Sequence, residues 1–533
     1  MTALVAILLA ACSGAAFDED DDVAEVIVGG RLFADTRFSQ FFFAHAKGQV
    51  NRPLDAGDPV MERSVGACED LPGPFAGRSM NCRACHLVNE HLNVPGGSVR
   101  TYTDYARRSP IPARGDGATV TARRSPVLVN STVERCGPVV LHADGEFASI
   151  EALIRGTLTG RNFGWLPTET RTAVKHLADV IRKDDGSDLF AMKTARLSYA
   201  VLFKGSDPTL APFVQIPEAY RLDVRKATDD QILDAVAKLL GAYVDSLRFG
   251  VFQVDLGAQY AGSPYDAFLA KNGLPLRPEK EEAPIDYARR LRGLLEALTE
   301  PAWVSNDDWG FKLHNQPYQF GPRQLNGLRV FLSESGSTKG RVGNCVACHT
   351  PPAFSDYTFH NTGVAQEEYD EVHGDGAFAA LKVPTRTERA ASPERHLPAT
   401  PLLPSGQGPF RAVPSAPHPG LTDLGLWNVY LNDAMPEPQA ALKALLGNAD
   451  LEDTIALFKT ATVRDLGQAG PYFHTGRKDG IDAVLRHYVR FPELARAGKV
   501  RNADPKLREI TITGVDLDAL QAFLRSLNED YND

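Results

Sequence analysis

Two five-residue stretches decide the reading of this chain: Cys82-Arg-Ala-Cys85-His86 and Cys345-Val-Ala-Cys348-His349. Both follow C-x-x-C-H, the attachment signature of c-type haem. The spacing has a physical cause. Three residues along a helical turn bring both sulfurs to one face, where they form thioethers with the two haem vinyl groups. The adjacent histidine then lies under the ring as the proximal iron ligand. The chain's own Cys and His frequencies give roughly 0.002 such matches by chance, so two matches exclude accident. The rival readings are a pair of redox C-x-x-C sites or a shared zinc site. The first needs a βαβ setting that the sequence lacks. The second gives no reason for a histidine directly after each second cysteine. The expected cofactors are two covalently bound haem c groups, with Cys82, Cys85, Cys345 and Cys348 as attachment points and His86 and His349 as axial ligands.

The remaining cysteines are Cys12, Cys68 and Cys136. Residues 3–11 form an apolar run, and Leu9-Ala10-Ala11-Cys12 has the form of a bacterial lipobox, followed by an acidic stretch from Asp18 to Asp22. This predicts a signal peptide over 1–11 and a lipidated acidic tether over 12–24 with Cys12 as the lipid site, although Met1 to Val5 lack the Lys or Arg of an ordinary signal n-region. The expected location is the periplasm or cell surface, anchored to a bacterial membrane by lipid alone. Haem is attached covalently outside the bacterial cytoplasm, which agrees with export. In that oxidising compartment Cys68 and Cys136, which flank the first haem motif, are candidates for a disulfide; the alternative is two unpaired core residues.

Composition sets outer limits. The chain has 533 residues, a net charge of −10, 43% hydrophobic and 23% charged residues. That is an ordinary globular balance with material for two to four domains. A mildly acidic chain without a basic stripe excludes nucleic acid as the expected partner. No later apolar run is long enough to span a membrane.

Periodicity points to helices. Thr228 caps a segment whose apolar stripe is Ile232, Leu233, Val236, Leu239, Leu240 and Val244. Residues 284–299, 515–527 and 481–490 read similarly, whereas strand alternation is confined to Val139–Leu141 and Ile510–Thr513. The expected fold is all-α: two cytochrome c-like haem domains with long loops, one over 25–250 and one over 251–533, joined around 250–285. Residues 385–420, rich in Pro, Ser and Ala, read as a long surface loop.

At this point the motifs in both halves resemble those of the bacterial di-haem cytochrome c peroxidase/MauG superfamily, from about residue 25 to 530. Arg124-Ser-Pro-Val-Leu-Val-Asn130 is similar to the family's R-N-T-P-T-x-x-N segment, and His142-Ala-Asp-Gly145 with Ser149-Ile-Glu151 to its W-D-G-R…S-L-E segment. In the second half Gly327–Phe331 precedes the haem motif. Pro352–Asp356, Phe359–Gly363, Thr462-Val-Arg464 and Pro471-Tyr-Phe-His-Thr-Gly476 follow in the family's order. The resemblance implies a peroxidase-like di-haem oxidoreductase. Peroxide reacts at the N-terminal haem, and electrons pass through the C-terminal haem from a small redox protein or a side chain of a partner protein.

Several positions depart from the family pattern. The distal ligand of the second haem falls fourteen residues after the motif histidine His474, at Tyr488, where the peroxidases have Met and MauG-like proteins have Tyr. A phenolate there favours ferric and ferryl iron. The neighbouring His487 and, more remotely, Met435 are alternatives. In the first pocket the family's inter-haem Trp is replaced by Ala143, and its distal Glu by Phe163, which cannot act as acid or base. Distal-pocket candidates are therefore Phe163 itself, His142 and Glu146, with Glu151 a further possible acid. The sixth position of this haem reads as open, since His91 follows His86 too closely on one helix to reach the far face; Tyr102 or Tyr105 could fill it. Arg124 stands where the family's Asn ligates an inter-domain Ca²⁺. A guanidinium cannot ligate a cation, so Ca²⁺ is doubtful. Trp165, Trp303 and Trp427 read as core residues before electron relays.

Two other functions compete. The superfamily also contains rubber oxygenases, O2-dependent enzymes with an apolar pocket at an open haem, which Phe163 and Ala143 would suit. A non-catalytic di-haem electron-transfer cytochrome would instead have both irons six-coordinate.

Overall fold

The computed structural model describes residues 23–52, 81–82, 85–86, 108–109, 111–128, 130–132, 138–247, 262–309, 317–336, 340–467 and 469–529. Helices dominate them. Those of eight residues or more are α1 (Ala24–Ala34), α2 (Ile150–Leu158), α3 (Thr170–Lys183), α4 (Asp229–Ser246), α5 (Pro264–Lys271), α6 (Pro284–Ala297), α7 (Pro322–Phe331), α8 (Val364–His373), α9 (Gln439–Leu446), α10 (Ile481–Arg496) and α11 (Leu517–Arg525). The described strands form two small antiparallel sheets. In one, β1 (Phe359–His360) pairs with β4 (Phe458–Lys459); in the other, β2 (Pro398–Thr400) pairs with β3 (Leu403–Gln407). No helix among the described residues is long and apolar enough to cross a membrane.

The first core is built around α4. Thr228 and Gln231 form a reciprocal capping box at its start, satisfying backbone donors that would otherwise be unpaired. All six residues of its expected apolar stripe are buried. Helices α1, α2 and α3 each pack on it. Gly29 lets α1 approach closely, because a Cβ there would strike the Leu239 carbonyl and lie 2.8 Å from Tyr243 Cβ. This core draws on residues 24 to 243 alone, and a second one on residues 265 to 527. The second centres on α7 crossing α11, with α10 beside them. Helix α10 runs six residues beyond its expected end, through Pro492.

A third core was not anticipated. It gathers residues 359 to 456 around the buried Trp427 and includes Val140 from the first half. The stretch 385–420, expected to be a surface loop, contributes to its edge. A Thr385/Glu388 capping box starts a short helix, and Arg389, buried inside it, donates to the carbonyls of Trp427, Tyr430 and Leu431. The sheet of β2 and β3 follows. Strand alternation at Ile510–Thr513 does bury Ile510 and Ile512 alternately, but no ladder forms. Thr511 pairs with Val342 instead, its N–H donating to the Val342 carbonyl and its Oγ1 accepting from the Val342 N–H, both at 2.8 Å. Likewise Val139–Leu141 forms only an isolated bridge, Leu141 to Phe147.

Arginine–carboxylate pairs clasp the segments of the two halves. Arg108 meets Glu368 at 2.9 Å, and Arg123 binds Asp423 through two hydrogen bonds of 2.6 and 2.8 Å. Lys459 of β4 donates its N–H to the Ala143 carbonyl at 2.7 Å.

The α7–α11 crossing gives a direct test. A Cβ on Gly327 would run into the Ala519 carbonyl and lie 2.7 Å from Phe523 Cβ. Gly327→Ala should cost about 1–3 kcal/mol through overpacking, seen as a lower urea midpoint of the holoprotein. An unchanged midpoint would contradict this crossing.

Candidate functional site

The described residues of the two C-x-x-C-H segments share one hydrogen-bond pattern. In the first, the N–H groups of Cys85 and His86 both donate to the Cys82 carbonyl, at 3.2 and 2.9 Å. In the second, Cys348 and His349 donate to the Cys345 carbonyl at 3.2 and 2.8 Å. The correspondence extends to the side chains. His86 donates Nδ1–H to the Pro126 carbonyl at 2.9 Å, and His349 donates Nδ1–H to the Phe354 carbonyl at 3.1 Å. Each bond places the imidazole proton on Nδ1 and leaves Nε2 as the lone-pair nitrogen, as a metal-ligating imidazole requires; His349 also meets the Ala461 backbone. Burial pushes His86 down to about 4 and lowers His349 as well, so both rings stay neutral. Burial, reinforced by the partner cysteine, pushes the Cys82 and Cys345 thiols up to about 12. A redox C-x-x-C pair needs the opposite shift.

Both turns line one cavity of about 2020 Å³. A drug-sized pocket measures about 300–1,000 Å³, so this volume suits two large flat groups. The chemistry of its donors fits haem: two paired thiols and one imidazole Nε2 in each motif, within a mostly apolar lining. Such groups would be held by Cys82, Cys85 and His86 at one end and by Cys345, Cys348 and His349 at the other.

Tyr488 projects from α10 into this cavity, while His487 does not line it. Both ring nitrogens of His487 are occupied, Nδ1 by Glu367 at 3.0 Å and Nε2 by the Thr362 carbonyl at 2.9 Å, and its ring stacks on Phe491. Tyr488 lies close enough to Cys348 and Cys345 that, after burial, these sulfurs add to the upward push on its phenol. Met435 belongs to the third core and touches the cavity beside the 398–407 sheet, where Thr400 donates to the Ala434 carbonyl.

The other wall belongs to the first half. Phe163 is 3% exposed, part of the first core and in contact with the cavity. His142, Ala143 and Glu146 line the cavity nearby. Glu146 accepts from His142 Nδ1 at 3.0 Å and from both terminal nitrogens of Arg411. Burial pushes its carboxyl up, but Arg411 and then His142 hold it well below the usual carboxylate range. Asp144, fully buried between them, pairs with Arg123 at 2.6 Å and Arg411 at 3.2 Å. His142, Asp144 and Glu146 are close enough to share a cation, but two guanidinium groups already neutralise their carboxylates. Glu151 is exposed at the start of α2 and does not line the cavity.

Arg124 bridges the halves. Its N–H donates to the His474 carbonyl at 2.9 Å, and its guanidinium donates to the Pro471 carbonyl. His474 stacks on Phe458 with ring centroids 3.6 Å apart. Trp165 and Trp427 are buried in cores, Trp165 donating Nε1–H to the Phe38 carbonyl; Trp303, expected in a core, is instead exposed and stacks on Phe268. Cys12, Cys68, His91, Tyr102, Tyr105 and Cys136 lie outside the described residues.

Sequence reading missed three features. Arg411 sits far along the chain from Glu146, and nothing in its neighbourhood marks it as a partner. His360, within the quoted Phe359–Gly363 motif, is clamped between Asp356 at 2.8 Å and Asp504 at 2.6 Å; against its burial, these bonds push it up to about 11. The 398–407 sheet also forms part of the cavity wall, although its Pro-rich sequence reads as loop.

No family model matches the chain, and no curated protein matches it in sequence. Among solved structures, it is similar to the diheme peroxidase BthA from Burkholderia thailandensis, with 16% identity and a TM-score of 0.45 over 95% of this chain and 86% of that one. It is also similar to a MauG-like protein associated with microbial copper homeostasis, with 14% identity and a TM-score of 0.41 over 96% of this chain and 91% of that one.

The arginine pairing predicts a stability effect. Arg411→Ala leaves Glu146 and the buried Asp144 short of a counter-charge, and should cost about 3–5 kcal/mol, as for other broken buried pairs. Urea unfolding of the holoprotein measures it; a loss under 1 kcal/mol would show that the pair is not sequestered from water.

Proposed function

We propose that this chain is a di-haem c-type oxidoreductase of the peroxidase/MauG type, with peroxide reacting at the His86 haem and electrons passing through the His349 haem. The observation that carries this reading is the pair of equivalent turns facing one cavity, each with an Nδ1-anchored histidine beside two cysteines. When bound, haem supplies the iron that takes up peroxide and the redox states that store its oxidising equivalents.

The protein residues have separable tasks. Cys82, Cys85, Cys345 and Cys348 fix each ring covalently. His86 and His349 would each hold an iron through Nε2, oriented by their carbonyl partners. Tyr488 would supply a phenolate to the second haem and disfavour its reduction, whereas His487 is held away by Glu367 and Thr362. The first haem would be left to take the small substrate. Electrons come from a small redox protein or a side chain of a partner protein. Residues 25–250 and 251–533 form the two haem domains. Residues 1–11 act as a signal peptide, and Cys12 carries the lipid that holds the mature protein at a bacterial membrane, facing the periplasm or the cell surface.

A second reading draws on the buried Phe163. An apolar wall without a carboxylate suits an O2-dependent oxygenase of the rubber-oxygenase type.

An optical and EPR titration of the ferric protein with hydrogen peroxide, and separately with cyanide, decides between them. The proposal expects a high-spin signal lost on binding and a high-valent spectrum within seconds. A high-spin haem that takes cyanide and ignores peroxide would favour the oxygenase. No high-spin signal and no ligand binding would leave an electron carrier. In the same experiment Tyr488→Phe should alter only the low-spin component; identical spectra would remove Tyr488 from the ligand set.

A further inference from the structure

We propose that His142 is the proton carrier of the first haem site, in place of the carboxylate that Phe163 has displaced. This rests on the reading of that site as the one that meets peroxide.

The arrangement is that of an oriented base. Glu146 is gripped by both terminal nitrogens of Arg411 and stays ionised, so it can only accept a hydrogen bond. Its other contact, 3.0 Å from His142 Nδ1, therefore places the imidazole proton on Nδ1 and leaves Nε2 as the basic nitrogen. The ring lines the cavity that also contains His86. Phe147 packs edge-on against it with centroids 5.1 Å apart. The backbone is equally constrained. His142 has φ +64°, in the left-handed region that costs a non-glycine residue energy, and it opens a turn closed by the bridge from Leu141 to Phe147. Strain of this kind persists where the surroundings fix it, and it concentrates at functional sites. Arg411 comes from the third core, so part of the second half assembles a proton-handling group in the first.

The step balances as follows. Hydrogen peroxide takes two electrons and two protons to give two waters. Nε2 of His142 accepts the proton of the peroxide oxygen nearer the iron and passes it to the outer oxygen. The O–O bond breaks, and that oxygen leaves as water. The two electrons come from the haem pair and are restored by the protein electron donor; the remaining protons come from solvent.

Stopped-flow mixing of the ferric holoprotein with peroxide tests this, with cyanide as a second probe because HCN must lose a proton as it binds. His142→Ala should slow the peroxide reaction about 10²–10⁴-fold and also slow cyanide binding, with haem content unchanged and the rate partly restored by added imidazole. His142→Gln serves the same purpose should the alanine variant mature poorly. Glu151→Gln, at an exposed residue that does not line the cavity, should react at the wild-type rate. A wild-type rate within twofold in both His142 variants would overturn the proposal while leaving the peroxide reading intact. So would a bis-histidine low-spin spectrum that becomes high-spin in His142→Ala, since it would place the ring on the iron. A wild-type protein inert to peroxide would overturn the reading and the proposal together.

Discussion

Each histidine that follows a C-x-x-C pair gives its Nδ1–H to a backbone carbonyl, Pro126 in one half and Phe354 in the other. These two hydrogen bonds give the motifs their chemical meaning. They fix the neutral tautomer, aim Nε2 outward and settle which atom faces a metal. The carbonyls in turn belong to loops whose positions depend on the packing around them. The Phe354 ring is buried against Tyr265, Phe331 and Phe523. Pro126 follows Arg123 and Arg124, which are tied to Asp423, Pro471 and His474 of the second half.

A cavity spanning both halves creates an electrostatic problem, because charges along the seam leave water when the halves meet. Arginine handles most of it. Arg108, Arg123 and Arg411 each meet carboxylates from the opposite half, and their planar donors match carboxylate geometry in a way that lysine cannot. Removing one partner would leave a buried charge, so the same pairs that close the cavity also fix how the halves align. His142, Asp144 and Glu146 lie within this network, which joins the architecture of the seam to the chemistry of the first site.

Much of this was legible in the sequence where the signal is local. The spacing of Cys82 to His86 and of Cys345 to His349 marks two like motifs that the structure brings to one cavity, and the stripe from Ile232 to Val244 with its Thr228 cap marks α4. Ile510–Thr513 shows the limit of local pattern. It alternates as a strand would, yet its pairing is confined to Thr511 with Val342, because a ladder needs a partner strand that local sequence does not specify. The 385–420 stretch misleads in the opposite direction. Its prolines read as loop, while one buried arginine, Arg389, and its carbonyl partners hold the region in place. Arg411 and its partner Glu146 meet only through tertiary structure, so no window of sequence connects them. Tyr488 and His487 are adjacent in sequence, and only the helix phase of α10 and the partners Glu367 and Thr362 separate their roles.

The central claim is that one chain carries two covalent haems in a single shared cavity. Intact mass and the pyridine haemochrome spectrum of the mature protein test it most directly. Two haem c groups per chain are expected, one lost in a Cys82→Ala, Cys85→Ala double variant and the other in a Cys345→Ala, Cys348→Ala variant. A mature protein with one haem or none, or with haem that survives both pairs of substitutions, would contradict the account.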